Sequence, residues 1–514
     1  MDNERVDCLL IHAVLEKNRK ISYYVMPMGL FSMADYLVKN GYKCRIINMG
    51  VEKILNRNFS ITDSIKKYNP KVIGIDLHWY VHSFSAIELA RLCKECSDAK
   101  VILGGYTSSF FSKEIIETFP FIDGIICGNG EAPLLEYLRN LDKGTLDRTP
   151  NLTFRRNGKA VCPERLCATD VSVFDKLTYS NVFLMDHWET YLANSAGSSP
   201  IAYIYIYPQK KPKRTFYLSF GRGCSMNCSY CSGNANSWHR FSGLKGAYYR
   251  PIEMIIHDLK MLSKLGVDTY CVENYPADNH EDFYIAVFDK IRQENLDIGI
   301  NFGCWHIPSN RFLDAFSRTF NLEKSCLSIS PESGSEYVRG INKGLSYSNA
   351  QFFKTVDEIR SRGIYASIHF ACGLPGETYA HFKDTLKMFD RLRKTGFYLS
   401  IRAIPIEPGS EMFLNPQKYG IKKLRNSFKD YYMTYKALFN YQTPSHPLGY
   451  ETVNFSEEAI SGLKIKAYRR FYLRPAFFFN RLSKIKNIWD IKESLKIIFA
   501  TLIGSTRLLN KVER

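Results

Sequence analysis

The stretch GRGCSMNCSYCSG, residues 221–233, places three cysteines at the spacing C-x3-C-x2-C, just after the apolar, β-rich run 215–220. Cubane iron–sulfur clusters are held by cysteine thiolates, so Cys224, Cys228 and Cys231 are suited to three irons of one cluster. No fourth cysteine follows closely, so one iron would lack a protein ligand and could bind another molecule. Free thiols or half of a zinc site are the alternatives, but zinc usually needs a fourth Cys or His at a second knuckle. His239 is the nearest candidate and follows no such spacing.

Length and composition predict a multidomain protein of ordinary solubility. The chain has 514 residues, enough for two or three domains with their own cores. It is 45% hydrophobic and 23% charged, and no apolar run approaches the roughly 20 residues that span a bilayer. The first residues lack a secretory signal pattern, and 14 cysteines without such a signal favour a reducing compartment. We therefore expect a cytoplasmic protein.

Positive charge is concentrated at the C-terminus. The net charge is +18, and residues 421–514 contain 18 Lys and Arg against 7 Asp and Glu. A basic tail of this kind contacts an anionic membrane surface or nucleic acid, or forms a solvated helical face. We favour the solvated face and leave peripheral membrane contact open. Nucleic-acid binding is disfavoured because no appended RNA-binding module is visible.

The N-terminal part alternates strands with helices, which predicts a parallel sheet with right-handed crossovers. Ligands of such sheets bind outside the carboxyl ends of the strands. The expected rim residues are His12, His78, Trp79, Gly104, Gly105, Thr107, Gly128 and Glu131.

Three stretches of this part, PMGLFSMADYLVKNGY, VILGGYTSSFFSKEII and FIDGIICGNGEAPLLEYL, resemble the cobalamin-binding domain that precedes many radical S-adenosylmethionine (SAM) domains. The resemblance implies a Rossmann-like, flavodoxin-like domain over residues 1–140 and makes the rim residues candidate cobalamin contacts. Asn129 stands where the family usually has Glu. The motif D-x-H-x-x-G, which supplies a histidine to cobalt, is missing after the first strand, and Asp76-x-His78-x-x-Val81 mimics it at a later one. If cobalamin binds, we expect no histidine below the cobalt; the alternative is a domain that keeps only the fold.

The cysteine triad and the segments after it resemble the radical SAM superfamily. Tyr230 is the aromatic residue usual before the third cysteine, SISPESGSEYVRGINKG resembles the segment that recognises ribose and carboxylate, and FACGLPGET resembles the segment near adenine. We expect residues 141–213 to be an interdomain linker, residues 214–415 a partial or full (β/α) barrel, and residues 416–514 a basic, mostly helical C-terminal cap. The implied SAM contacts are Tyr230, Gly233, Ser330, Glu332, Ser333, Gly373 and Pro375.

Together these resemblances imply a radical SAM enzyme with a 4Fe-4S cluster, SAM and cobalamin. The expected reaction is cobalamin-dependent C-methylation of an unactivated carbon in a small-molecule, lipid or peptide substrate, with an electron donor such as flavodoxin or ferredoxin. No catalytic residue is assigned beyond the cluster ligands. Radical rearrangement, cyclisation or carbon–carbon coupling without methyl transfer is the alternative within enzymes. A nucleic-acid modifier or RNA-binding iron–sulfur protein and a non-catalytic electron carrier are alternatives of other classes.

Overall fold

The computed structural model describes residues 4–17, 20–23, 25–194, 214–275, 281–345, 347–440, 448–472 and 491. Residues 195–213 of the predicted linker and residues 441–447, 473–490 and 492–514 of the predicted C-terminal cap lie outside the described residues. Within the described ranges, no helix combines the length and the apolar character needed to cross a membrane.

The N-terminal unit is a seven-stranded sheet with strand order β4-β1-β5-β6-β7-β8-β9. Its strands are β1 (Cys8–His12), β4 (Cys44–Asn48), β5 (Val72–Asp76), β6 (Lys100–Gly104), β7 (Gly124–Ile126), β8 (Leu152–Arg156) and β9 (Lys159–Val161), and a separate hairpin is formed by β2 (Leu15–Lys17) and β3 (Lys20–Tyr23). The helices between the strands are Gly29–Lys39, Met49–Leu55, Ile61–Tyr68, Ser83–Cys96, Tyr106–Phe110, Ser112–Thr118 and Glu131–Lys143, with a 3-10 turn at Tyr80–His82.

The parallel core of this sheet aligns the ends of its strands. All five residues of β1 and of β5 are buried, as expected for strands covered on both faces. In the register, His12 lies opposite Asn48 on one side and opposite Asp76 on the other. Polar side chains at the carboxyl ends of neighbouring strands therefore meet at one rim.

Part of the predicted linker belongs to this sheet. β8 pairs antiparallel with β7, and β9 pairs antiparallel with β8. Residues 152–161 thus extend the sheet beyond residue 140. Further along, the chain forms 3-10 turns at Leu146–Arg148 and Val182–Leu184 and helices Ser172–Asp175 and Trp188–Asn194. The backbone N–H groups of Tyr179 and Ser180 donate to the Asp258 carboxylate at 3.1 Å, which fastens this segment to the second unit.

The second unit is a six-stranded parallel sheet whose strands follow one another in chain order, which is the order of a partial (β/α) barrel. Its strands are β10 (Thr215–Tyr217), β13 (Thr269–Tyr275), β14 (Gly299–Cys304), β15 (Cys326–Glu332), β16 (Ala366–Cys372) and β17 (Tyr398–Ala403), and β11 (Gly221–Arg222) forms a small ribbon with β12 (Tyr248–Tyr249). The intervening helices are Ala235–Ser242, Ile252–Lys264, Glu281–Gln293, Asn310–Thr319, Glu336–Lys343, Asn349–Ser361 and Tyr379–Leu392, with 3-10 turns at Leu322–Lys324 and Arg393–Thr395.

Hydroxyl side chains fix where the barrel helices begin. Ser309, Ser335 and Ser348 each accept a hydrogen bond from the backbone N–H three residues further on, and Thr378 does the same for its helix. Such caps satisfy N–H groups that have no partner inside the helix. The helix starts, and with them the lengths of the loops at the barrel mouth, are thus set locally.

The described C-terminal residues pack on both units. They form helix Glu411–Leu414, a 3-10 turn at Pro416–Tyr419, β18 (Ile421–Leu424), helix Phe428–Phe439, β19 (Tyr450–Thr452) and helix Glu457–Tyr472. Phe428 and Tyr431 join the core of the N-terminal unit, whereas Ile460 joins the core that contains the barrel. This part of the chain therefore holds the two units together.

Candidate active site between the two sheets

A cavity of about 530 Å³ lies between the carboxyl ends of the two sheets. One wall comes from the N-terminal rim and from residues 25–30, and the other from residues 217–223 before the cysteines. The predicted site residues that line it are His78, Trp79, Gly104, Gly105, Gly128, Glu131 and Gly233. His12 and Thr107, which were predicted beside them, do not line it.

The pleat and the turns explain these two positions. Successive side chains of a strand point to opposite faces, and His12 at the end of β1 is completely buried and turned toward its neighbour Asp76. Thr107 lies in the short helix Tyr106–Phe110 that follows β6, and its hydroxyl donates to the carbonyl of His78 at 3.0 Å. Thr107 therefore supports the loop that carries His78 and is not part of the cavity wall.

The loop that carries Cys224, Cys228 and Cys231 is fastened from two sides. Ser229 donates its backbone N–H to the carbonyl of Asn342, and its own carbonyl accepts from the N–H of Met412, both at 2.8 Å. The Glu407 carboxylate accepts from the N–H of Ser232 at 2.7 Å and from its hydroxyl at 2.8 Å. The segments that follow β15 and β17 thus fix the conformation of the cysteine loop.

The sulfur atoms have the surroundings of cluster ligands. The N–H of Met226 donates to the Cys224 sulfur at 3.4 Å, and the N–H of Gly233 donates to the Cys231 sulfur at 3.3 Å. Such hydrogen bonds stabilise thiolate ligands and tune a cluster. Burial raises the pKa of Cys228 to about 12 and the pKa of Cys231 well above its usual range. A bound metal would have to supply the positive charge that keeps these thiolates deprotonated, and the residues fit an iron–sulfur cluster.

Beside this loop lies a group of three residues that we call the barrel-rim cluster: Tyr230, Glu332 and Lys343. The Glu332 carboxylate accepts from the Tyr230 hydroxyl at 3.0 Å and from the Lys343 ammonium at 3.3 Å. Lys343 also donates to the carbonyl of Ser330. Glu332 has φ +62°, a left-handed conformation that costs free energy for a residue other than glycine and is found mainly at functional sites. Its second carboxylate oxygen is buried without a hydrogen-bond partner among the described residues.

The remaining predicted SAM contacts mostly shape the backbone here. Ser333 is buried, and its hydroxyl accepts from the N–H of Ser335 at 3.1 Å. Pro375 accepts from the side-chain amide of Asn342 at 2.9 Å. Gly373 has φ +73°, and a Cβ there would approach Ile460 to 2.6 Å. These contacts position the mouth of the barrel.

A second buried group, the histidine–aspartate cluster, consists of His12, Asp76 and His82. Asp76 accepts from Nδ1 of His12 at 2.9 Å and from the N–H of Ala13 at 3.2 Å, and the rings of His12 and His82 lie 5.3 Å apart. Burial lowers the pKa of His82 to about 3. Burial alone would raise the pKa of Asp76, but His12 holds it below its usual value. Sequence reasoning missed His82; the signal was the spacing His78-x-x-x-His82 after a buried strand.

Trp79 connects this cluster with the cavity. Its ring lies edge-on to His12 at 6.4 Å, to His82 at 5.7 Å and to His78 at 5.2 Å. Burial lowers the pKa of His78 to about 4, so the imidazole at the cavity wall is neutral near pH 7.

Arg222 joins the two units and was also missed. Its guanidinium donates to the Glu131 carboxylate at 2.5 Å, to Ser32 at 2.9 Å and to the side-chain oxygen of Asn129 at 3.3 Å. Burial works against both charges, but the pair raises the pKa of Arg222 and lowers the pKa of Glu131. Asn129, at the position where the cobalamin-binding domains that this part resembles usually have Glu, thus accepts a hydrogen bond from this arginine.

A Cβ on Gly128, whose φ is +80°, would lie 2.3 Å from the carbonyl oxygen of Phe241. The two rims are therefore in close contact beside the ion pair of Arg222 and Glu131. Arg222 precedes Cys224 by two positions in the chain. Together these contacts therefore hold the N-terminal rim close to the cysteine loop.

Comparisons with known proteins agree with this arrangement. The model of the B12 binding domain matches residues 18–138, and the model of the radical SAM superfamily matches residues 218–389. An uncharacterized methyltransferase of Pyrococcus horikoshii is 25% identical over 469 residues, which are 87% of this chain and 88% of the relative. An anaerobic magnesium-protoporphyrin IX monomethyl ester cyclase of Rubrivivax gelatinosus is 23% identical over 70% of this chain and 61% of the relative.

Among solved structures, the radical SAM methyltransferase TsrM from Kitasatospora setae, with cobalamin and a [4Fe-4S] cluster bound, superimposes with a TM-score of 0.65 over 99% of both chains at 13% identity. At that identity the likeness concerns the fold.

The chain contains a B12-binding domain in front of a radical SAM domain. The protein is a radical SAM enzyme, and its cofactors are a 4Fe-4S cluster, SAM and cobalamin. The predicted fold class, a Rossmann-like B12-binding domain followed by a radical SAM barrel, is confirmed.

Proposed function

We propose that the protein transfers a methyl group to an unactivated carbon of an organic substrate bound in the cavity between the two sheets. The observation that carries this proposal is that the rim of the B12-binding domain and the residues next to the cluster ligands line one cavity. Methyl transfer to such a carbon requires the methyl donor and the radical source to reach the same substrate atom, at near-contact distances of about 3–3.5 Å.

The chain supplies ligands, orientation and a dry site for this reaction. When bound, the cofactors supply one-electron chemistry and a transferable methyl group. Cys224, Cys228 and Cys231 would hold the cluster. The unpartnered oxygen of Glu332 is suited to accept a hydrogen bond from an ammonium or hydroxyl group of SAM. Lys343 pairs with that carboxylate and holds it in place.

The cavity wall supports a substrate with an apolar body. Trp79, Tyr106, Trp238 and Phe241 line it together with several methionines and leucines. Such a lining excludes water and binds by apolar contact, while a few polar groups set orientation. A small metabolite, a lipid or a peptide side chain with an apolar portion would fit this description.

At the N-terminal rim, the proposed cobalamin contacts are those predicted residues that line the cavity. His78 and Trp79 would lie beside the corrin ring, and no histidine would bind the cobalt from below. The electron paramagnetic resonance spectrum of bound cob(II)alamin tests this part. We expect no nitrogen superhyperfine splitting; a splitting that disappears in His78→Ala would refute it.

Two further features remain proposals. An electron donor such as flavodoxin or ferredoxin would reduce the cluster, and the basic C-terminus would make any peripheral membrane contact of a cytoplasmic enzyme. A cyclisation without methyl transfer is the second candidate reaction, favoured by the similarity to the magnesium-protoporphyrin IX monomethyl ester cyclase.

The deciding experiment uses SAM with a deuterated methyl group under anaerobic, reducing conditions, with cobalamin and candidate cell extracts. Mass spectrometry should find a product that gains the labelled methyl group. The Cys224→Ala/Cys228→Ala/Cys231→Ala variant is the control and should give none. A product that changes only by loss of hydrogen, with SAM consumed, would replace methyl transfer by the cyclisation.

A further inference from the structure

The histidine–aspartate cluster leaves four buried polar atoms without a hydrogen-bond partner among the described residues: Nε2 of His12, both ring nitrogens of His82, and Oδ2 of Asp76. Both histidines are completely buried, and Asp76 is 6% exposed. One ligand atom from each of the three residues can be chosen such that all three lie within 4.8 Å of one another.

Such an arrangement is costly unless something else binds to it. A buried polar group without a partner loses about 1–3 kcal/mol relative to a satisfied one. Nearly all buried polar groups in proteins are satisfied, so four unpartnered atoms in one place point to a ligand. Arg222, the buried cation at the contact between the two rims, is paired with Glu131.

The donor atoms define the chemistry of that ligand. Two imidazole nitrogens and one carboxylate oxygen form a set typical of Zn²⁺ and of other divalent first-row transition metals. The hydrogen bond between His12 and Asp76 resembles the carboxylate–histidine pairs that orient metal-bound imidazoles.

We propose that His12, Asp76 and His82 form a binding site for a divalent transition-metal cation, with Zn²⁺ as the first candidate. Asp76 lines the interdomain cavity, whereas His12 and His82 lie behind it. Three protein ligands with an open side are characteristic of zinc sites that keep a position for water or substrate. The cation would therefore lie at the floor of the cavity and present its open position toward it. This site is independent of the proposed methyl transfer.

The test measures zinc in the full-length protein after equilibrium dialysis against buffered Zn²⁺ and a competing chelator. Elemental mass spectrometry determines zinc separately from the iron of the cluster. We expect about one zinc per wild-type chain. Asp76→Asn and His82→Gln should each weaken binding by at least about 10–100-fold, the size of effect known even for residues behind a metal ligand.

His187→Gln is the matched control. His187 also pairs with a carboxylate, Glu52, at 2.8 Å in the same unit, but it is half exposed and outside the cluster. This variant should keep the zinc. Circular dichroism identifies a variant that fails to fold, and the wild-type occupancy decides the proposal even without variants.

A zinc content below about one-tenth per wild-type chain, measured while the chelator is saturated with zinc, would refute the metal site. The unpartnered atoms would then be assigned to buried water. Equal zinc in all variants would assign the metal to free thiols. Adding cobalamin should leave the zinc in place. Release of zinc, together with imidazole splitting on cobalt that is lost in His82→Gln, would show that cobalamin occupies the cluster.

Discussion

The two rims that face the cavity balance buried charge in different ways. At the barrel rim, Glu332 and Lys343 lie 3.3 Å apart with almost no exposure, so each neutralises the other. At the N-terminal rim, Asp76 is bonded to an imidazole of His12, and four atoms of its cluster have no partner among the described residues. A paired rim keeps its shape without a ligand, whereas an unpaired rim gains stability when one binds.

The largest effect is expected when the three cysteine ligands of the cluster are removed from the barrel unit. Cys224→Ala/Cys228→Ala/Cys231→Ala should lose all cluster iron after anaerobic reconstitution, because no other tight cysteine group follows in the chain. The wild type should hold about four irons. Iron and sulfide analysis measures both. More than about four irons in the wild type, or a cluster retained in the variant, would contradict a single site.

The contact between the rims should be the next most sensitive point. Arg222→Met leaves Glu131 buried and unpaired, which typically costs 3–5 kcal/mol of unfolding free energy. Denaturant unfolding measures it, and adding Glu131→Gln should recover much of the loss. Arg139→Met, at an exposed pair with Glu136, is the control and should cost less than about 1 kcal/mol. Equal losses of unfolding free energy in both variants would mean that the buried interdomain pair stabilises the protein no more than an exposed pair does.

Lys343→Met tests the paired rim itself. It leaves the Glu332 carboxylate without its cation, so a loss of about 3–5 kcal/mol and a strong decrease in SAM cleavage are expected. The variant Lys343→Met/Glu332→Gln should regain stability but not cleavage. Lys387→Met, at an exposed pair with Asp384, controls for the loss of a lysine. A double variant as unstable as the single one would refute charge pairing as the source of the stability.

Glu377, at the barrel mouth, contrasts with Glu332 because no ion pair joins it to a cation in the described part of the chain. Burial raises its pKa from 4.5 to about 7, and its carboxylate accepts from the N–H of Gly373 at 2.6 Å. Between these values the folded state binds more protons than the unfolded state, so stability falls as pH rises from about 4.5 to 7. At 1.36 kcal/mol for each pKa unit, the loss is about 3 kcal/mol.

Denaturant unfolding of the wild type and of Glu377→Gln at pH 5 and pH 8 isolates this contribution. The free energy of unfolding of Glu377→Gln should not fall over this pH range. The difference in stability between the wild type and the variant should therefore change between pH 5 and pH 8. Parallel pH profiles would exclude the buried carboxyl as their cause.

The smallest effect is expected at the unpaired rim. Without metal, Asp76→Asn loses only hydrogen bonds from His12 and Ala13, about 1–2 kcal/mol. Added Zn²⁺ should widen the difference, because it stabilises only the protein that binds it. Thermal unfolding with and without Zn²⁺ measures both quantities. A metal-free loss as large as that of Lys343→Met would remove the distinction between the rims.

Much of the site follows from local sequence. The spacing of Cys224, Cys228 and Cys231 predicts a ligand set because the three thiols share one short loop. Strand ends at Asp76 and Gly104 could be located because buried β-branched runs stop there, and the carboxyl ends of parallel strands form the ligand-binding rim. The predicted class, a radical SAM methyltransferase with cobalamin, agrees with both domain matches and with the methyltransferase relative.

Other features depend on contacts between residues far apart in the chain. Arg222 and Glu131 are separated by 91 positions and meet because the two sheets dock rim to rim. His12 and Asp76, separated by 64 positions, are hydrogen-bonded because β1 and β5 are neighbours in register. The pleat turns His12 behind the cavity, and Thr107 supports a loop instead of lining the wall.

Loop spacing and buried runs are local properties of the chain, so the sequence alone predicts the three cysteine ligands and the strand ends. Tertiary packing, by contrast, settles which polar groups share a cavity, which charges are paired and which buried atoms lack a partner among the described residues. Those outcomes depend on how two independently patterned sheets pack, and packing brings together residues that no local pattern relates.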